Sequence, residues 1–215
     1  MKDYQLIIFD WDGTLMDSTQ QIINCMQSAI AQLTLPELSN NTVSHIIGLG
    51  LNEAVEVLYP DLDPHLRQQL GQHYTQNWLN SPHEAPLFAN AENLIKQLNS
   101  HAFFLGVATG KSRRGLDKVL NKTQLIHYFH ATRCVDECHS KPHPDMLTQL
   151  MDFFGVDASK TLMVGDTSHD LLMAQNAGAD CVGISHGAHD IIALQACQPK
   201  EIVNNLYQLQ DWLLC

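Results

Sequence analysis

Basic residues are scarce in this sequence: 12 lysines and arginines stand against 23 aspartates and glutamates, a formal charge of −11 over 215 residues. That deficit opposes non-specific attraction to nucleic acid or anionic lipid. Small molecules are the expected partners, with no nucleic acid and no membrane among them. Long apolar runs are also missing near the N-terminus, where Leu6 to Phe9 is flanked by Asp3, Asp10 and Asp12. This leaves neither a signal-peptide core nor a membrane span, and the expected location is cytoplasmic. No low-complexity tract suggests extended disorder, and 45% hydrophobic with 16% charged residues is the composition of a packed fold. Nor is there a disulfide framework to read. Cys25, Cys134, Cys138, Cys181, Cys197 and Cys215 are scattered in a chain without a secretory signal, which favours free thiols. The Asn-x-Thr triplets at Asn40 and Asn121 accordingly carry no glycosylation meaning.

The length allows one large α/β domain or a domain with a sizeable insertion, and the hydrophobic pattern chooses the second. Tyr4 to Phe9 is short, apolar and isoleucine-containing, which suits a buried parallel strand ending at Asp10. From Asp17 to about Asn80 the apolar residues recur at helical spacing: Ile22, Ile23, Met26, Ile30 and Leu33, then Ala54, Val55 and Leu58, then Leu66, Leu70, Tyr74 and Trp78. Pro36, Gly48, Gly50 and the Pro60 to Pro64 turn divide this stretch into three to five helices. After Ser81-Pro82 and Pro86 helix and strand alternate. Helices are expected at Ala91–Leu98, Met146–Phe154, Leu171–Ala177 and Leu206–Leu214, and strands at Phe103–Ala108, Thr161–Val164 and Asp180–Ile184. The alternation predicts a mostly parallel sheet covered on both faces. Ligands of such sheets bind beyond the carboxyl ends of the strands, where Asp10, Thr109 and Asp166 fall.

Four segments carry candidate chemistry. Phe9-Asp10-Trp11-Asp12-Gly13-Thr14-Leu15 sets two carboxylates at i and i+2 past a buried strand. Burying two carboxylates together requires a cation, and a hard divalent ion such as magnesium suits oxygen ligands and a phosphate substrate; a solvated turn is the competing reading. A calcium loop is rejected, because the further oxygen ligands and terminal Glu are wrongly spaced. Val107-Ala108-Thr109-Gly110-Lys111-Ser112 presents a hydroxyl and exposed N–H groups able to grip phosphate oxygens, or simply a helix N-cap. Ser140-Lys141-Pro142-His143-Pro144-Asp145 stiffens a loop around a single lysine, whose ammonium can neutralise a carboxylate and a phosphate. In Met163-Val164-Gly165-Asp166-Thr167-Ser168-His169-Asp170, Asp166 and Asp170 face the same way one turn apart and could close a metal site; an Asp helix cap is the alternative.

In that order, each after a strand or in a stiffened loop, these segments resemble the haloacid dehalogenase superfamily, specifically its phosphatase branch with a helical cap, phosphoglycolate phosphatases included. Asp10 to Leu15 with Asp17-Ser18 carries the most specific match; Thr109 matches the second motif, Lys141 with Pro142 and Pro144 the third, and Gly165-Asp166 with Asp170 the fourth. The resemblance implies a three-layer, Rossmann-like α/β core formed by residues 1–16 and 87–215, with an all-helical cap at 17–86 hinged near Ser18 and Ser81-Pro82. It implies a magnesium-dependent phosphomonoester hydrolase acting on a small phosphorylated metabolite, as a monomer or homodimer. Asp10 would be the nucleophile and Asp12 the general acid and base. Thr109, the Gly110 amide and Lys141 would hold the phosphoryl oxygens with Asp10. The metal would lie on Asp10, the Asp12 carbonyl and Asp166, with Asp170 in the outer shell or ligating directly. A carbon–halogen hydrolase would need no Asp12. A phosphomutase would use the same motifs and differ in how the cap excludes water, and a catalytically idle binding module would have no need of both acids.

The cap names no substrate. Phosphoglycolate leads by resemblance, with sugar phosphates, nucleoside monophosphates and flavin mononucleotide as alternatives. Ile46-Ile47-Gly48-Leu49-Gly50 resembles the family loop aimed at the leaving group, or is a helix-to-helix turn. It is no dinucleotide fingerprint, because residue 53 is Glu and no strand precedes it. Trp11 would shape the site entrance or pack under the cap. Cys134, Cys138 and His139 lack a fourth zinc ligand in paired spacing. His143 and His169 are the histidines nearest the motifs.

Overall fold

The computed structural model describes residues 2–82 and 85–215. Met1, at the start of the expected core, and His83 and Glu84, inside the expected cap segment 17–86, lie outside the described residues. In chain order β1 (Leu6–Phe9) is followed by α1 (Thr19–Gln32), α2 (Asn40–Ser44), α3 (Leu51–Leu58) and α4 (Pro64–Leu79). Next come α5 (Ala91–Ser100), β2 (Phe104–Thr109), α6 (Arg113–Lys122), β3 (Ala131–Cys134), α7 (Asp145–Phe154) and β4 (Thr161–Gly165). The chain ends with α8 (Ser168–Asn176), β5 (Asp180–Ile184), α9 (Ile191–Ala196), β6 (Glu201–Val203) and α10 (Leu206–Leu214).

The six strands form one parallel sheet in the order β3-β2-β1-β4-β5-β6. All four residues of β1 are fully buried because side chains alternate between two covered faces. Ile7 and Phe9 join Leu105, Val107, Leu162 and Val164 under α5, α6 and α10. Leu6 and Ile8 join Met163 and Cys181 under α7, α8 and α9. This is a three-layer α/β core with helices inserted between its first strand and the remainder. Helices α1 to α4 enclose an apolar cluster of their own, including Ile22, Met26, Ile30, Val43, Ile47, Val55, Leu58 and Leu70. Among the described residues, no helix is long and apolar enough to cross a membrane.

Two strands escape the sequence pattern. Ala131–Cys134 is only half-buried and polar, and Glu201–Val203 has three residues; both lie at the sheet edges, where one neighbour and partial solvation relax the need for an apolar run. Helix α8 begins three residues before the expected Leu171. Thr167 Oγ1 accepts from Asp170 N and Asp170 Oδ2 accepts from Thr167 N, closing a capping box that outweighs the polar start.

Register fixes what the sheet presents. Phe9 lies beside Val107 on β2 and Val164 on β4, so three adjacent central strands present polar residues at one edge, one residue past that level on β1 and two on β2 and β4. These are Asp10, Thr109 and Asp166.

Candidate active site

Asp10 leaves β1 with its amide still donating to the Val164 carbonyl at 2.9 Å, and its side chain is buried. Lys141 Nζ makes an ion pair with Oδ1 at 2.8 Å, while among the described residues Oδ2 has no hydrogen-bond donor. Unmade hydrogen bonds on a buried carboxylate are costly. Burial raises the Asp10 pKa well above the usual carboxylate range; Lys141 opposes the shift, while Asp170 and Asp166 add to it.

Lys141 also donates to Asp170 Oδ1 at 2.6 Å, so one buried ammonium serves two carboxylates. Burial disfavours its charge, but Asp10 and Asp170 outweigh that and hold its pKa above the ordinary lysine value. The second Asp170 oxygen accepts from Thr167 N at 3.1 Å and Thr167 Oγ1 at 2.7 Å. Asp166 accepts from Thr14 Oγ1 at 2.6 Å and from Ala188 N at 2.7 Å. Its pKa is pushed up to about 7, chiefly by burial and then by Asp170.

Asp10, Asp166 and Asp170 each offer a carboxylate oxygen, and these atoms lie within 4.8 Å of one another. Three buried carboxylates stand around one ammonium that pairs with two of them, Asp10 Oδ2 lacks a hydrogen-bond donor among the described residues, and two of the acids bind protons too readily. A hard divalent cation answers each of these features, so the residues fit a metal. The backbone gives way to the acids as well. Gly13 turns the chain at φ +79°, and a Cβ there would sit 2.2 Å from Asp166 Oδ2.

Asp12 points away from that cluster. Its Oδ1 accepts from Ser18 Oγ at 2.5 Å and its Oδ2 pairs with Lys111 Nζ at 2.9 Å. Its side chain is thus engaged by Ser18 and Lys111, leaving its backbone carbonyl as the Asp12 group that could turn to a metal. Thr109, buried at the end of β2, accepts from Lys111 N at 3.2 Å. Gly110 lies directly beneath the cap: a Cβ there would fall 2.4 Å from the Leu49 carbonyl and 2.7 Å from that of Gly48. Gly50 N donates to Ser140 Oγ at 2.8 Å. The Gly48-Leu49-Gly50 loop therefore touches both the Thr109 and the Lys141 segments.

Other sequence candidates sit elsewhere. Trp11 is buried in the sheet core against Phe129, with its indole N–H on Met16 Sδ at 3.3 Å. Cys134 is a buried free thiol whose pKa burial raises to about 12. His143 Nδ1 accepts from Asp145 N at 3.2 Å, and His169 Nε2 bonds the His45 carbonyl in the cap at 2.8 Å. His189 leans on that carbonyl too, at 3.3 Å, while its Nδ1 accepts from Ser168 N.

Three neighbours of the site carry no distinctive signal in the sequence. Ala188 contributes only a backbone N–H, and His189 lies in a loop without a motif. Lys111 was visible as the lysine after Thr109-Gly110, but only the fold shows that it meets Asp12.

Known proteins resemble this chain along most of its length. The family model described as haloacid dehalogenase-like hydrolase matches residues 7–184. A probable phosphatase, IndB of Dickeya dadantii (strain 3937), is 32% identical over 209 residues, covering 95% of this chain and 91% of that protein. A phosphoglycolate phosphatase of Aliivibrio fischeri (strain ATCC 700601 / ES114) is 28% identical, covering 94% and 92%. The crystal structure of a predicted phosphoglycolate phosphatase from Haemophilus somnus 129PT has the same fold, with a TM-score of 0.88, 24% identity and 99% of each chain covered.

Proposed function

Because the chain belongs to the haloacid dehalogenase-like hydrolase family, we propose that it is a magnesium-dependent phosphomonoester hydrolase working through an aspartyl-phosphate. The observation that carries this reading is Asp10: a buried carboxylate whose Oδ1 pairs with Lys141 and whose Oδ2 has no hydrogen-bond donor among the described residues, at the point where three strands deliver their polar ends. A nucleophile needs its lone pairs free, and a structural carboxylate would have them capped.

One Asp10 oxygen attacks phosphorus as the bond to the ester oxygen breaks, and Asp12 hands its proton to that leaving oxygen. Asp12 then takes a proton from water, which attacks the same phosphorus and expels the Asp10 oxygen with its bonding electrons. Lys141 steadies the charge on Asp10 and on the transferring oxygens, while the Thr109 hydroxyl and Gly110 N–H orient the phosphoryl group. Asp10, Asp166, the Asp12 carbonyl and, directly or through water, Asp170 would hold the metal. When bound, the ion supplies positive charge that offsets the clustered carboxylates and the phosphoryl oxygens.

The four cap helices, taken as a lid over residues 17–86, would exclude bulk water from the intermediate. Phosphoglycolate, named for the Aliivibrio fischeri relative, is the first metabolite to assay. The deciding experiment measures phosphate release from an aryl phosphate with and without magnesium. Metal-dependent turnover that Asp10→Asn abolishes is expected; a rate no higher than that of buffer would identify an idle binding module.

A further inference from the structure

The loop between β5 and α9 has no part in the reaction set out above, yet it touches both the acids and the cap. On the acid side, Ala188 N donates to Asp166 Oδ2 at 2.7 Å and His189 N donates to the Asp166 carbonyl at 3.3 Å. Gly187 has no room for a Cβ, which would run into the Asp166 side chain. His186 Nε2 donates to the Thr14 carbonyl at 3.1 Å, and Thr14 Oγ1 donates in turn to Asp166 Oδ1.

On the cap side, two imidazoles meet one carbonyl. His169 Nε2 lies 2.8 Å and His189 Nε2 3.3 Å from the carbonyl oxygen of His45. His45 closes helix α2, where a helix leaves its last C=O groups without partners of its own. A carbonyl oxygen has two lone pairs, and the core supplies a donor for each. The tautomer of the buried His189 is fixed by its other nitrogen: Ser168 N–H donates to Nδ1 at 3.0 Å, so the ring proton sits on Nε2 and points at the cap. Ser168 and His169 open helix α8, and Asp170 follows in the same turn.

The cap therefore grips the core through the two short segments that carry or hold Asp166 and Asp170. When the cap lifts, one carbonyl and two imidazole N–H groups lose partners together, and residues 168–170 and 186–189 lose their outer restraint. Asp10, Asp166 and Asp170 crowd their oxygens within 4.8 Å, so segments released from the cap relax apart under like-charge repulsion. Cap seating and metal binding favour the same arrangement of these segments. Two events that favour one state assist each other by equal factors.

We propose that His169 and His189 are positioning residues: by holding the His45 carbonyl they couple the seating of the cap to the arrangement of Asp166 and Asp170 that accepts the metal. This rests on the metal-dependent phosphatase reading and adds to it the means by which an occupied metal site favours a closed lid.

The test uses the whole chain without substrate. Magnesium affinity is measured by titration calorimetry, and hydrogen exchange is followed at the amides of residues 43–47 relative to those of α10, which packs on the opposite face of the sheet. In the wild-type protein magnesium should slow exchange at 43–47 at least about fivefold, the scale of one hydrogen bond. His169→Leu removes one donor to His45; His189→Asn removes the other, while its Oδ1 still accepts from Ser168 N. Each should weaken magnesium binding about fivefold by the same scale and reduce the slowing of exchange to match. His169→Gln, whose amide N–H falls near the position of Nε2, should stay within about twofold of wild type. Unchanged affinity in either loss variant, or a His169→Gln as weak as His169→Leu, would overturn the inference alone. So would a wild-type protein that binds magnesium with no change in exchange at 43–47, a result that depends on no variant folding. Absence of any magnesium binding would overturn the metal-dependent reading and this inference together.

Discussion

Lys141 Nζ lies 2.8 Å from Asp10 Oδ1, and neither side chain is more than 1% exposed. The two are not equivalent partners. Lys141 also holds Asp170, so its removal strands two buried carboxylates, whereas removing the Asp10 charge still leaves Lys141 paired. Lys141→Met should accordingly destabilise the metal-free protein by about 3–5 kcal/mol, read from urea unfolding. Asp10→Asn should cost at least about a thousandfold in turnover at unchanged or higher stability. A variant Asp10→Asn with an undiminished rate would rule out the covalent route.

Divalent metal should bind where Asp10, Asp166 and Asp170 converge. At a hundredfold excess over its dissociation constant the ion would stabilise the fold by about 2.7 kcal/mol, roughly 5 to 10 °C in Tm for a chain of this size. Chelator should reverse the gain, and Asp166→Asn and Asp170→Asn should each remove most of it. An equal Tm rise in wild type and both variants would place the ion elsewhere.

The central sheet and its acids are legible in the sequence for one physical reason: strands covered on both faces must be apolar throughout. Asp10, Thr109 and Asp166 therefore stand out where the runs at Phe9, Ala108 and Gly165 stop. Edge strands are free of that requirement, and β3 and β6 leave no trace. Asp170 reads from spacing as a residue facing Asp166, but its bond to Lys141 links positions 29 apart in the chain. The Asp12 pairing with Lys111 depends on how the loops after β1 and β2 meet, and no local pattern encodes it.

The pH dependence of stability contains opposing contributions over nearly the same window. Asp166 titrates at about 7 in the metal-free fold against an ordinary value near 3.8. The folded state thus keeps a proton that the unfolded chain has released between those values, and stability falls as pH rises through the window. His189 runs the other way. Burial lowers its pKa to about 4, so the unfolded chain takes up the proton first and stability is lost as pH falls below about 6.5. The Asp166 part is isolated by comparing wild type with Asp166→Asn in chelator at pH 8 and pH 5. Relative to the variant, the wild-type protein should gain on the order of 2 kcal/mol on acidification. A difference between the two proteins that does not change with pH would mean that Asp166 is ionised throughout.

Gly110 supplies the strictest test of whether the cap loop seen against the core belongs to the working enzyme. A Cβ there would meet backbone oxygens of Leu49 and Gly48 at 2.4 and 2.7 Å, and backbone cannot yield by changing rotamer. Gly110→Ala must therefore push the loop away or shift the Thr109 segment, and the latter displaces the groups proposed to grip phosphate. A displacement of about 1 Å at a reacting centre costs about a hundredfold, so kcat/KM should fall by that order, with overpacking lowering stability by about 1–3 kcal/mol. Ser140→Ala loosens the same loop differently: it deletes the bond from Gly50 N, worth about 1 kcal/mol, together with the long 3.4 Å bond to the Lys141 carbonyl, and should raise KM several-fold while sparing the fold. Wild-type kcat/KM in Gly110→Ala would mean that the loop stands clear of Gly110 during turnover, and the cap would then act from further away than the Gly48–Gly50 contact implies.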